Sequence, residues 1–170
     1  MFNQFLRENH YVSWLLTVFR LYLGVQWLKA GWGKITSGHF DASGFLNEAV
    51  HKGTGEHPMV QPWWGNFLQE VALPHVEIFN VLVPWGEFLV GIALIFGILT
   101  NFSVLMGITI NFAYLFSGTT STNPQMVLIG MFILVAGINA GKIGLDRWII
   151  PYFKRLLLKK EDQEKLPLGA

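Results

Sequence analysis

The sequence predicts an all-α polytopic membrane protein, a four-helix antiparallel bundle of membrane-spanning helices with a long outer cap between the first and the second. Three observations predict it. Of the 170 residues, 52% are hydrophobic and only 14% charged, far from the composition of an ordinary soluble domain. Four segments reach or approach the roughly 20 apolar residues that a bilayer crossing requires. Lysine and arginine gather after the fourth segment, whereas the connections on the other side hold almost none, the asymmetry that sets orientation in membranes.

The first span runs over residues 12–35. Within it Arg20, Gly24, Trp27, Gly31 and Lys34 recur at spacings of four, three, four and three, which places all five on one helical stripe. Intramembrane cations turn toward the bundle interior and glycines admit a neighbouring backbone, so this stripe should face the other helices. Gln26 and Lys29 lie off it, and Lys29 is free to snorkel. The preceding stretch MFNQFLRENH lacks a small-residue cleavage site, so the first span is expected to stay attached to the mature chain.

Residues 36–75 form the expected cap. Two amphipathic pieces, DASGFLNEAVHK and PWWGNFLQEVAL, predict short helices on the membrane surface, with Trp63 and Trp64 as interfacial anchors. The second span covers 76–99 and the third 102–117, joined so tightly at Thr100 and Asn101 that they must form a hairpin. Glu87 is the only carboxylate deep inside a span. It is expected to pair with Arg20, with Asn111 as a candidate third member. Gly91 follows Glu87 at i+4, and Gly107 and Tyr114 share the stripe of Asn111. An inward pair of this kind serves a site or fixes helix register, and the sequence leaves both roles open.

The link GTTSTNP is an uncharged lip, with Asn123 and Pro124 suited to open a helix. The fourth span, 126–145, repeats small residues at Gly130, Gly137, Gly141 and Gly144, a close-packing face. Asn139 is its one amide, and Asp146 closes it with Arg147 or Lys154 as expected partner. Residues 1–150 thus make the membrane domain and 151–170 a basic interfacial tail; in the stretch after Asp146, Trp148, Tyr152 and Leu156 to Leu158 mix with Arg147, Lys154, Arg155, Lys159 and Lys160, and Lys165 follows. Both termini are expected on the cytoplasmic side, with the cap and the GTTSTNP lip sharing the outer face.

Several functions are excluded. Net charge is +1 with no global basic field, which argues against nucleic acid. Cysteine is absent, so disulfides, iron–sulfur clusters and thiol catalysis are ruled out. No histidine pair lies within the spans, so no haem is expected there. His39, Glu48, His51 and His57 in the cap match no zinc spacing, and no metal site is assigned. A dinucleotide fingerprint is also lacking.

The stretch RLYLGVQWLKAGWGK (20–34), the glutamate in WGEFLVGIALIFG and the closing GKIGLDRW together resemble the DoxX and DoxD family of small bacterial and archaeal membrane proteins. The resemblance covers the four-span core. It implies a membrane subunit of a quinone-linked oxidoreductase, of the thiosulfate:quinone type in some members, passing electrons from a small donor or partner protein to quinone in a bacterial or archaeal cell membrane. It carries over Arg20, Lys34 and Glu87 as site candidates; Asn111 rests on helix geometry alone. For such chemistry Glu87 and Arg20 are the candidate catalytic residues, and Lys34, Asn111, Trp27 and Tyr114 the candidate substrate-binding ones, Trp27 or Tyr114 stacking on the ring. With no electron carrier of its own, the chain would draw electrons from a soluble redox partner, a second subunit or a partner's flavin. Membrane lipid is the remaining expected partner, and a homo-oligomer is left open. The alternatives are a non-catalytic scaffold recruiting a soluble redox enzyme, and a small anion or metabolite transporter using Arg20 and Lys34 as internal cations.

Overall fold

The computed structural model describes residues 2–54 and 56–164, with the side chains of Phe2 and of 157–164 also outside the description. All regular structure among these residues is helical. A short α1 (Phe2–Glu8) precedes α2 (His10–Ser37), and Asn9 separates them by accepting from the backbone N–H groups of Tyr11 and Val12, satisfying two of the donors that a helix start leaves free. The remaining helices are α3 (Ser43–Lys52), α4 (Pro62–Phe67) continued by a π-helical turn Leu68–Ala72, α5 (Val76–Phe96), α6 (Thr100–Phe116), α7 (Asn123–Ala136), α8 (Ile138–Gly141) and α9 (Asp146–Glu164).

Glycines decide which helices touch. A Cβ on Gly31 would strike the backbone N of Phe88, and one on Gly91 the backbone N of Leu28. Gly24 lies against Ile95, where an added Cβ would fall 2.8 Å from its Cγ1. Contacts of this closeness hold α2 on α5 backbone to backbone. Gly130 of α7 instead receives side chains, those of Val104 and Ile108 of α6. By comparison α5 and α6 touch each other less, although they are neighbours in sequence, and a cleft opens between them.

The fourth segment differs from expectation. Residues 126–145 do not form one continuous helix: it breaks at Gly137, whose φ of 60° and ψ of −129° lie outside the helical region, and a single turn of α8 follows. Gly137 meets nothing within 4 Å, so its role is the break and not close packing. Across it, Asn139 Nδ2 donates to the carbonyls of Leu6 (2.8 Å) and Asn9 (3.1 Å), tying α8 to the α1–α2 junction.

Among the described residues one helix, Val76–Phe96, is long and apolar enough to cross a membrane by length and composition. The 28-residue α2 carries three cations, and α6 and α7 are 17 and 14 residues long.

Both cap pieces are helical, as expected, and pack over the bundle end through Leu46, Ala49, Leu68 and Ala72. Asn80 Oδ1 of α5 accepts from Ala42 N–H at 2.7 Å. At the start of α3 the Ser43 hydroxyl and N–H both donate to Asp41, holding its carboxyl below the usual range. The cap and the lip share one end: Trp64 Nε1 donates to Ser117 Oγ at 2.9 Å, and Gly118 lies against Lys52 and Val60. Trp63 is exposed, whereas Trp64 is partly buried. In the tail, α9 exposes Trp148, Tyr152 and Leu156 beside Arg147, Lys154 and Arg155. Lys165 lies outside the described residues.

A candidate site in the cleft between α5 and α6

The expected Arg20–Glu87 pair does not form. Gly24 against Ile95, Leu28 against Gly91 and Gly31 against Phe88 set an antiparallel register that puts Glu87 opposite residues 31–34 and Arg20 opposite the α5–α6 turn. At 1.5 Å per residue the two side chains are roughly 18 Å apart along the bundle. Lys34 takes the place assigned to Arg20: its Nζ lies 2.5 Å from Glu87 Oε2, and Tyr114 donates its hydroxyl to Glu87 Oε1 at 2.6 Å. Glu87 is 1% exposed, while the Lys34 side chain keeps 25% of its surface and lies over the Phe40 ring. Both carboxylate oxygens are therefore engaged by donors of unlike chemistry, an ammonium and a phenol.

Arg20, 2% exposed, has a different setting. Its guanidinium donates to the carbonyls of Ala140 (3.3 Å) and Ile143 (2.6 Å) and is pressed between Gly97 and Gly144. Beside it, Asp146 pairs with neither Arg147 nor Lys154. Its carboxylate accepts from the N–H groups of Leu99 (2.6 Å) and Thr100 (2.8 Å), capping α6, and its own N–H donates to Gly97 O at the end of α5. The same residue thus closes both sides of the hairpin turn, in which Leu99 sits at φ 45°, a conformation strained for leucine. Asp146→Asn is expected to cost about 1.5–3 kcal/mol, the worth of hydrogen bonds to a charged group, read as a lowered denaturation midpoint in detergent. Unchanged stability would remove this role.

Lys34, Glu87 and Tyr114 stand at the head of a cleft of about 890 Å³. It runs between α5 and α6 from the cap, where Phe40, Phe45 and Trp64 line it, to Leu99 and Phe102 at the opposite end. Trp27 also lines it, buried, with its indole over Gly107. Asn111 is not brought to this cluster: it is 1% exposed, its Oδ1 finds no hydrogen-bond donor among the described residues, and it is absent from the cleft wall. Of the cap residues considered for a metal, His39, His51 and His57 are exposed, and Glu48 accepts from Lys52 at 2.8 Å.

The cap phenylalanines, Met106, Ile110 and Gly86 escaped the sequence reading because apolar residues on amphipathic helices carry no mark that distinguishes a cavity wall from a core. The Lys34–Glu87 pair did have a signal. Gly24, Gly31 and Gly91 are the small residues through which α2 and α5 could meet, and matching them gives the register.

The arrangement defines a helical protein of membrane type whose buried ionisable cluster faces an apolar side cleft. Residues 15–120 match the DoxX family over α2 from Leu15, the cap, α5, α6 and the start of the lip. The chain belongs to the DoxX family, which is membrane-associated. Arg20, Trp27, Lys34, Glu87, Asn111 and Tyr114 lie inside the matched stretch, and Asp146 lies beyond it. No curated protein and no solved structure matches the chain.

Proposed function

We propose that this chain is a four-span membrane protein with both termini cytoplasmic, and that it serves as the membrane subunit of a quinone-linked oxidoreductase, with the α5–α6 cleft as the quinone site. The observation that carries this reading is the combination in the cleft: a long apolar wall with a carboxylate, an ammonium and a phenol at one end. In support of the spanning topology, α2, α5, α6 and α7 all turn large apolar side chains outward, among them Val18, Val81, Phe102 and Met131, a surface that suits lipid.

A quinone offers two carbonyl acceptors and takes up two electrons and two protons on reduction. Lys34 and Tyr114 both hold protons that could turn from Glu87 to a carbonyl, and Glu87 is placed to hand a proton to Tyr114 or take one from it. Phe45, edge-on to Tyr114 with ring centroids 5.6 Å apart, and Trp27 offer flat apolar surfaces for the ring. Electrons would come from a partner protein or its flavin. The anion-transport reading needs Arg20 and Lys34 as free internal cations, and here the first holds backbone carbonyls while the second holds Glu87.

The test is purification in nanodiscs followed by solvent extraction. Wild-type protein should carry quinone, and Tyr114→Phe and Glu87→Gln should each lower its retention by about 5- to 30-fold, the range for one or two kcal/mol. Wild-type protein that holds no quinone and binds none on titration would overturn the reading.

A further inference from the structure

We propose that the length of the cleft below Glu87 is a channel for the apolar chain of a lipid-soluble ligand, that this chain enters sideways from the bilayer between α5 and α6, and that Gly86 keeps the channel open. The proposal rests on the site reading above and extends it from the head group to the chain and its route.

Gly86 is the first argument. Glycine inside a helix is about 0.5–1 kcal/mol less favourable than alanine, so its presence calls for a reason. At Gly24, Gly31 and Gly91 the reason is a pressed neighbouring backbone. Gly86 has no such neighbour: a Cβ there would meet only Ile110 Cδ1, at 3.9 Å, an ordinary contact. Helix packing does not require this glycine. It adjoins Glu87 in sequence and lines the cleft, so a side chain at this position would project into the space between the two helices.

Size and shape are the second. At about 890 Å³ the cleft lies near the top of the roughly 300–1,000 Å³ range of small-ligand pockets, more than a single ring needs. Its ionisable groups stand together near the cap, whereas Ser103, Met106 and Ile110 continue it along α6. From Tyr114 to Phe102 the helix rises roughly 18 Å, which suits an extended chain.

The open side is the third. Leu82, Leu89, Leu99 and Phe102 line the cleft and yet are each at least 44% exposed, so its wall is continuous with the outward apolar surface of the bundle. A chain moving from lipid into such a wall gains little hydrophobic free energy, because lipid tails are as apolar as leucine. The channel therefore aligns the ligand and gives it access, while the polar cluster supplies selectivity.

The full chain in nanodiscs, irradiated with a decyl-benzoquinone whose terminal carbon bears a diazirine, tests this by mass-spectrometric mapping. Adducts are expected on Phe102, Ser103 or Met106, falling roughly tenfold or more in Gly86→Leu as the leucine fills the space. Should Gly86→Leu fail to fold, Gly86→Ala, which fits without displacement, should still reduce them two- to threefold by narrowing the same space. Adducts on Thr119 to Thr122 of the lip or on the outward face of α2, or adducts indifferent to Gly86, would overturn the channel. A decylbenzene probe with the same diazirine separates the two readings. If it labels Met106 as strongly as the quinone probe and Glu87→Gln affects neither, the channel stands and the quinone falls; if quinone is retained through Tyr114 while its chain labels the lip, the channel falls alone.

Discussion

Gly91→Leu is expected to abolish folding, and Gly91→Ala to lower stability by about 1–3 kcal/mol, the cost of overpacking a close contact. The position leaves no room to adjust. A Cβ there would fall on the backbone N of Leu28 and 2.7 Å from its Cα, so the neighbour that must yield is main chain and not a flexible side-chain end. Because α2 touches α5 more extensively than any other helix, separating them disrupts the principal interface of the bundle. Gly33→Ala is the control: Gly33 lies on the facing helix α2 with nothing within 4 Å of its added Cβ, and the change should be neutral or stabilising by up to about 1 kcal/mol. Thermal unfolding in a mild detergent reads all three. Equal stability of Gly91→Ala and Gly33→Ala would mean that the helices do not meet as described.

Lys34→Met should be the most damaging change at the ionisable cluster, costing about 3–5 kcal/mol, as expected when one member of a buried pair is removed. Glu87 is left 1% exposed with the Tyr114 hydroxyl as its remaining donor. Glu87→Gln should cost less, because Lys34 keeps a quarter of its side-chain surface and can swing toward the cap. The double variant should recover part of the Lys34→Met loss, since removing both charges removes the unpaired one. A double-mutant cycle on denaturant midpoints measures this order. Lys34→Met as stable as wild type would refute the pair, and a double variant at the sum of the singles would show that the two residues do not interact.

Much of this interior was legible from periodicity. The stripe of Arg20, Gly24, Trp27, Gly31 and Lys34 does face inward: Arg20, Gly24, Trp27 and Gly31 are buried and Lys34 reaches Glu87. Helical spacing fixes which side of a helix a residue occupies, and that inference needs nothing from outside the segment. Depth is another matter. Counting residues from the span ends sets Arg20 and Glu87 at a similar level, yet relative depth depends on how two helices slide past each other, which the glycine contacts decide. The broken fourth segment was hidden for a related reason. Gly137 has the composition of a packing glycine, and only its backbone conformation, φ 60° with no neighbour to accommodate, reveals that it ends a helix. Sequence proximity points Asp146 to Arg147 or Lys154, whereas its real partners are backbone N–H groups some 46 residues away.

The closure around Asp146 gives the molecule a direction. At that end the hairpin turn, the Arg20 guanidinium and the segment following Gly141 are bound by main-chain hydrogen bonds, and neither Arg20 nor any residue from 137 to 147 lines the cleft. The cleft therefore has two unlike ends: the ionisable groups around Glu87 stand on the cap's side, whereas the end at Leu99 and Phe102 borders a turn whose main-chain groups are already engaged.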